Sequence, residues 1–376
     1  MKKKKVLFLI ESFIVGGAEK VLIDIVNNLN PGKYDITVCS VYKHSVYEGY
    51  YKSFDKPFKS HIKYRYLIDN RIKILYILFN YLLNKIPNVL YQLLIGNRYD
   101  TVVAFYEGLP TYWISRAKLK GCKRIAWLHT STELSQQGKN QKALNKQQNY
   151  YAQFNQIIAV SQGVADSFTQ LFPTLSNINV IYNPINTTVI LEKAQQPISL
   201  EKKVSPTFVC VGRMTEVKGY YRWLQVLLKL KEKGYVFQSW IIGGGNREKY
   251  EQFVIENHLT DYVVFLGHQD NPYPYMAEAN WIACPSYLEG LSTVVLEGIV
   301  LGKAIVTTDC PGMKELLGNS KYGIVCENNK KAISKTIEHI LCSPDLQKQY
   351  ESEIQNQKYN YDIKNSIHQI ESLLDA

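Results

Sequence analysis

Residues Trp281–Asp309 read WIACPSYLEGLSTVVLEGIVLGKAIVTTD. WIACPS is short and apolar and ends in a turn signal, so it reads as a buried strand. YLEGL is its exit loop, Ser292 stands where a helix N-cap is needed, and TVVLEGIVL is the helix. KAIVTTD is again a strand, which makes the stretch one β–α–β unit and predicts a parallel sheet. Glu289 then lies in the loop above the sheet, and Glu297 about one turn into the helix. On one continuous helix a spacing of eight would set the two side chains roughly 80° apart around the axis, so they would share no face. Divided between loop and helix, with the amides of Gly290, Leu291, Ser292 and Thr293 between them, two carboxylates can instead hold hydroxyls at opposite ends of one extended ligand.

The same rhythm runs outward in both directions. TFVCVG, YVFQSWIIGG and YVVFLG read as strands upstream in the second half of the chain, with GYYRWLQVLLKLKEKG as a helix between the first two. In the first half KVLFLI, YDITVCSVY, YDTVVAFY, KRIAWL, QIIAV and INVIY read as strands separated mostly by amphipathic helices. The segment from His44 to Gly96 breaks the rhythm and reads as a helical insertion. Asn183–Pro206 mixes proline, charge and polar residues without period and reads as an interdomain linker. The expected architecture is α/β, two doubly wound domains facing each other across a central cleft. The first covers 1–184, rejoined by a C-terminal helix over 359–376, and the second covers 185–358.

Composition agrees with two domains, since 376 residues exceed what one hydrophobic core organises. Apolar residues make up 46% and charged residues 20%, values of an ordinary folded chain rather than a disordered one. Seven cysteines (Cys39, Cys122, Cys210, Cys284, Cys310, Cys326, Cys342) form no C-x-x-C pair, which speaks against a disulfide framework or zinc site and for a reducing cytoplasm. MKKKKVLFLI meets Glu11 at once and has no small-residue cleavage site, so it reads as a first buried strand, not a leader. Nothing reaches the ~18 apolar residues of a membrane span. The net charge of +11 is uneven, with fourteen Lys or Arg against four acids between Tyr50 and Ile125. These are interleaved with Tyr50, Tyr51, Phe54, Phe58, Tyr64, Tyr66, Tyr76 and Phe79. Such a mixture suits an anionic membrane surface, or equally a solvated basic face; nucleic acid is disfavoured because no binding motif accompanies it.

Chemistry concentrates at strand ends. After FVCVG comes GRMTEVKG, where Arg213 and Lys218 leave a strand just before a helix begins, a good arrangement for a pyrophosphate. WIIGGGN puts Gly243, Gly244 and Gly245 at the next strand end, where absent side chains would let a ring or phosphate approach the backbone, with a plain loop as the competing reading. Gly267, followed by His268, repeats that placement in FLGHQ. Glu107 in FYEGLP also follows a strand and is a candidate acceptor contact, with an ordinary surface carboxylate as the plainer reading.

The order GR…KG, the glycine strand end, FLGHQDNPYPYMAEA and CPSYLEGLSTVVLEGIVLGKAIVTTDCPGMKELL closely resembles retaining glycosyltransferases of the GT-B fold that carry two glutamates separated by seven residues (glycosyltransferase family 4-like, group 1). More loosely, SFIVGGAEKVLIDIVNNL, IAWLHT, IIAVSQGV and VIYNPI resemble the family's first domain. The resemblance implies a nucleotide-diphosphate sugar donor, expected to be a UDP-sugar, and a glycan or lipid-linked acceptor in cell-surface polysaccharide, capsule or lipopolysaccharide synthesis. Arg213 and Lys218 would bind the diphosphate, Glu289 the transferred sugar, Glu297 the ribose, and His129 would sit by the anomeric carbon. Gly16 and Gly17 would approach the donor phosphate, and Gly243, Gly244, His268, Gly290, Leu291, Ser292 and Thr293 would complete the donor site. No cofactor and no metal are expected, and the chain lacks a D-x-D tripeptide. The protein would work in the cytoplasm, at the inner face of the membrane.

Two rival readings remain at this level. One is another GT-B enzyme, an epimerase or phosphorylase; the other is a non-catalytic partner that binds nucleotide-sugars. A dehydrogenase is disfavoured, because the first strand leads to ESFIVGGAE rather than G-x-G-x-x-G.

Overall fold

A computed structural model describes residues 2–13, 16–44, 58–131, 140–198, 200 and 204–376. Of the basic and aromatic stretch, Tyr50, Tyr51 and Phe54 lie outside the described residues. The chain forms two compact units, one of residues 1–184 with 364–376, the other of residues 185–363.

The first unit is built on seven parallel strands: β1 Lys4–Ile10, β2 Tyr34–Tyr42, β3 Lys63–Ile68, β4 Thr101–Ala104, β5 Lys123–Leu128, β6 Gln156–Ala159 and β7 Ile178–Val180. Their order across the sheet is β3-β2-β1-β4-β5-β6-β7. Val6 to Leu9 are wholly buried, as expected of a strand covered by helices on both faces. Ser161 and Asn140 cap the helices Gln162–Leu171 and Gln141–Tyr151 with their side-chain oxygens, which fixes where those helices start. The helix Ile363–Asp375 closes the unit. Lys123 Nζ donates to Leu373 O at 2.7 Å, Tyr34 OH to Asp375 at 2.6 Å, and Lys4 Nζ to Leu374 O.

β3 corrects the expectation of a purely helical insertion. KYRYLI pairs in parallel with β2 at the sheet edge, and Lys63 holds Asp35 of β2 at 2.7 Å. An edge strand has one unpaired side and needs less apolar surface, so its lysine and arginine hid it.

The second unit holds β8 Thr207–Val211, β9 Gln238–Ile242, β10 Val263–Gly267, β11 Trp281–Cys284, β12 Ala304–Thr308 and β13 Ile324–Cys326, in the order β10-β9-β8-β11-β12-β13. All neighbours are parallel, and β11 is buried throughout. Ser292 and Asn329 cap the helices Thr293–Leu301 and Lys330–Cys342. Part of the supposed linker is structured: Asn186 caps the helix Thr187–Ala194, which packs on the helices Tyr273–Glu278 and Thr293–Leu301 through residues including buried Ile190. At two turns it is too short to show a period. The return to the first unit falls after Ile363 rather than at 359, because Ile363 N donates to Ile185 O at 3.0 Å and so belongs to the second unit.

Candidate functional site

In the six-stranded sheet the strand order reverses between β8 and β11. Loops leaving the two strands on either side of such a reversal diverge and open a crevice beyond the strand ends. The β8 exit carries Arg213 and, through the 3₁₀ turn Glu216–Lys218, Lys218; the β11 exit carries Glu289. Lys218 Nζ lies 2.7 Å from Glu289 Oε1, bridging the reversal point. The same oxygen accepts from Ser286 Oγ at 2.6 Å and faces Cys284 Sγ at 3.7 Å. Burial pulls the Lys218 ammonium down, but the Glu289 carboxylate and Cys284 outweigh it and hold the group above its ordinary value. Arg213 differs: among the described residues its guanidinium has no hydrogen bond or ion pair.

One residue that the sequence reading did not single out organises this loop. Arg222, in the helix Tyr220–Glu232, is only 4% exposed. Its Nη2 donates to Pro285 O at 2.8 Å, Ser286 O at 2.7 Å and Asn328 Oδ1 at 2.7 Å, and its Nε to Pro285 O at 3.0 Å. The guanidinium also lies 3.7 Å from the centre of the Tyr287 ring. A buried cation is costly unless its donors are satisfied, and here carbonyls and an aromatic face satisfy them. The β11 exit is thereby pinned three residues before Glu289. The signal was legible: Arg222 shares a helix face with Val226 and Leu230, both core residues, and a charge on a core face needs an explanation.

Glu297 is buried and accepts from Tyr273 OH at 3.1 Å, so the NPYPYM segment orients it. Glu289 and Glu297 therefore sit on loop and helix, each with its own support. Ser292 is spent on its cap, with Oγ accepting from Val295 N at 3.4 Å, and the Leu291 side chain is buried. Gly290 is buried and Thr293 half-buried. His268 lies 3.1 Å from Asp270 at an exposed turn.

The glycines after β9 serve the packing of their own sheet. A Cβ on Gly243, at φ +157°, would come 1.8 Å from Gly212 O, and Gly244 O accepts from Met214 N at 2.9 Å. The missing side chain on Gly243 makes room for the neighbouring strand's exit. Gly298, next to Glu297, faces the sheet: a Cβ there would stand 2.8 Å from Ile282 Cδ1.

The first unit repeats the plan. Its order reverses between β1 and β4. After β1, Gly16 takes an extended conformation at the N-cap of the helix Gly17–Asn28, which no side chain caps. Such an end offers backbone amides and the positive pole of the helix dipole. After β4, Glu107 corrects the picture of a surface carboxylate. Its Oε1 accepts from His129 N at 2.6 Å, Thr130 N at 2.8 Å and Thr130 Oγ1 at 3.2 Å, while Oε2 is buried without a partner among the described residues. Burial pushes its carboxyl above the usual range against those hydrogen bonds. Glu107 thus fixes the loop after β5 that carries His129.

His129 is buried, stacked on Tyr106 with centroids 5.5 Å apart and tilted against Phe105 at 4.8 Å. Its Nε2 has no partner among the described residues, and burial lowers its pKa to about 3. At neutral pH the ring is uncharged and can offer a hydrogen bond, not a charge.

Known proteins share this layout. Residues 15–189 match the family model described as Glycosyltransferase Family 4, and residues 192–357 the model described as Glycosyl transferases group 1. An uncharacterized glycosyltransferase of Haemophilus influenzae is 24% identical over 388 residues, covering 99% of this chain and 100% of that one. The N-acetylgalactosamine-N,N'-diacetylbacillosaminyl-diphospho-undecaprenol 4-alpha-N-acetylgalactosaminyltransferase of Campylobacter jejuni is 27% identical over 216 residues. That match covers 56% of this chain and 58% of the relative, little more than half its length. The crystal structure of Anabaena HepE in complex with UDP-glucose aligns with a TM-score of 0.75 at 18% identity over 99% of both chains, which establishes the fold as GT-B. With the two family models together spanning nearly its whole length, the chain belongs to the group 1, family 4-like glycosyltransferases.

Proposed function

We propose that the protein transfers a sugar, with retention of anomeric configuration, from a UDP-sugar to a lipid-linked or glycan acceptor in cell-surface polysaccharide synthesis. The observation that carries this is the Lys218–Glu289 pair across the strand reversal, with Arg213, partnerless among the described residues, on the same strand exit as Lys218. Arg213 and Lys218 meet the diphosphate, and Glu289, relieved of the lysine, turns to sugar hydroxyls; Glu297 holds the ribose and His129 Nε2 a sugar hydroxyl. The bond from the anomeric carbon to the phosphate oxygen breaks, and the acceptor oxygen bonds the same carbon from the same face. The acceptor proton passes to the departing phosphate. Cations fixed before the reaction stabilise the charge that develops on that phosphate without reorganising, so the cycle requires no metal ion. The diphospho-undecaprenol in the Campylobacter relative's name supports a lipid-linked acceptor, and the UDP-glucose in the HepE structure supports the donor class.

Release of nucleoside diphosphate tests this, after a thermal-shift screen of UDP-, GDP- and ADP-sugars. The wild type is expected to bind and turn over a UDP-sugar, with activity unchanged by a chelator. Arg213→Ala should lose about tenfold or more in nucleotide affinity, the worth of roughly one charge-assisted hydrogen bond, with an unchanged melting temperature. Unaltered affinity in that variant would place the phosphates elsewhere.

A further inference from the structure

The helix Lys73–Lys85 has two apolar faces and buries one. Phe79 and Leu83 pack inward, with Tyr76 above them. Ile74, Ile77, Leu78 and Tyr81 recur at i, i+3, i+4 and i+7, the spacing of a second stripe, and all four point outward. Ile74 is 76% exposed and Tyr81 59%. The next helix, Pro87–Leu94, continues the pattern: Leu90 and Tyr91 are buried while Val89 and Leu93 stand exposed, the latter at 76%. Single exposed apolar side chains are ordinary, but a row of six on consecutive helices marks a surface that meets something.

The charges say what it meets. From Asn70 to Arg98 the chain carries Arg71, Lys73, Lys85 and Arg98 and no acidic residue. Aliphatic side chains with a tyrosine, framed by basic residues, match the acyl and headgroup layers of an anionic lipid leaflet; a protein partner would supply acids of its own and need not be so apolar. Thirteen residues of helix reach about 20 Å, short of the roughly 30 Å hydrocarbon core, so the helix lies on a membrane rather than across it. No helix among the described residues is long and apolar enough to cross one.

We infer that this helix pair is a docking surface for an anionic membrane, seated with the Ile74–Tyr81 stripe in the headgroup region. Its inner side bears on the acceptor. Asn80 and Leu83 form one wall of a cavity of about 370 Å³ also lined by Gly108, Tyr112, Lys146 and Tyr150, next to Glu107. A lipid-linked acceptor, if the proposed transfer is right, has its anchor in the leaflet at one side of the helix and its sugars toward the β4 exit at the other.

The test is co-sedimentation of the full chain with vesicles of phosphatidylcholine alone or mixed with phosphatidylglycerol, at low and high salt. Wild type should pellet with the mixed vesicles, less so at high salt. Ile74→Glu combined with Ile77→Glu should weaken that by about tenfold or more. Both side chains are exposed, so the variant's melting temperature and its shift with UDP should match wild type. Equal pelleting of variant and wild type, no pelleting of either, or a wild-type dimer in light scattering that the variant loses would each overturn the docking role. Transfer to a soluble acceptor should be unaffected in the variant, which separates this surface from the reaction itself.

Discussion

Lys218 and Glu289 are written 71 positions apart in the chain, yet the folded site sets Nζ and Oε1 at 2.7 Å. The pair alters what removal of the carboxylate does. From the sequence alone, Glu289→Ala would be expected to abolish transfer and leave unfolding nearly unchanged. In the folded site alanine strands a half-buried ammonium and takes away the acceptor of Ser286. Glu289→Ala should therefore lose both transfer and about 1–3 kcal/mol of stability. Glu289→Gln keeps an oxygen for Lys218 and Ser286 and should lose transfer at nearly wild-type stability. Urea unfolding of the two variants separates these outcomes, and identical curves would mean the pair is not formed in solution.

His129 gives the residue scale a pH dependence. Unfolded, the imidazole titrates near 6.5; folded, burial holds it at about 3. Between those values only the unfolded chain takes the proton, so the folded state loses stability as pH falls from about 6.5 toward 3. Glu107 works the other way, since its raised carboxyl takes up a proton in the folded state first and favours folding as pH falls toward 4.5. His129→Asn removes the first contribution alone. Its melting temperature should fall less steeply than that of the wild type between pH 6.5 and 4.5, and parallel slopes would mean that the ring is hydrated.

At the scale of elements, what the sequence made legible and what it hid have physical causes. β1 and β11 were plain because strands covered on both faces must be continuously apolar. β3 was hidden by the lax demands of a sheet edge, β13 by its three residues, and the helix Thr187–Ala194 by its two turns. Candidate site residues showed themselves through charge at strand ends; of the supports behind them, Arg222 was legible as a charge on a core face but its partners in the β11 exit were not, and Tyr273 was hidden because its partner lies 24 positions away. Arg222 gives an element-scale prediction, since it ties the helix after β8 to the loop after β11. Lysine keeps the charge but lacks the planar five-donor fork that spans Pro285, Ser286 and Asn328 and lies on the Tyr287 ring. Arg222→Lys should lower kcat by about tenfold to a hundredfold, as misplacing a substrate-holding group by an ångström does, while nucleotide affinity holds. A drop in melting temperature with kcat intact would make Arg222 merely structural.

At the scale of the whole molecule, the excess of basic residues could be read from composition but its meaning could not. Only the folded chain divides that segment into an inward stripe, Phe79 and Leu83, and an outward one, Ile74, Ile77, Leu78 and Tyr81. Sequence periodicity sees both stripes as one apolar helix. The two-unit division was legible from the restart of the βα rhythm, because each parallel sheet needs its own set of covering helices.

The helix Ile363–Asp375 has a consequence for the order in which the molecule can be completed on the ribosome. The unit of residues 185–363 is continuous and has every strand it needs once Ile363 has emerged. The other unit begins earlier and closes later, since the partners of Lys4, Tyr34 and Lys123 are Leu374, Asp375 and Leu373, made after residue 363. The half that carries Lys218 and Glu289 is thus whole before the half that carries the Ile74–Tyr81 stripe has closed. The nascent chain carries an exposed seam along β1, β2 and β5 until the helix Ile363–Asp375 has been made.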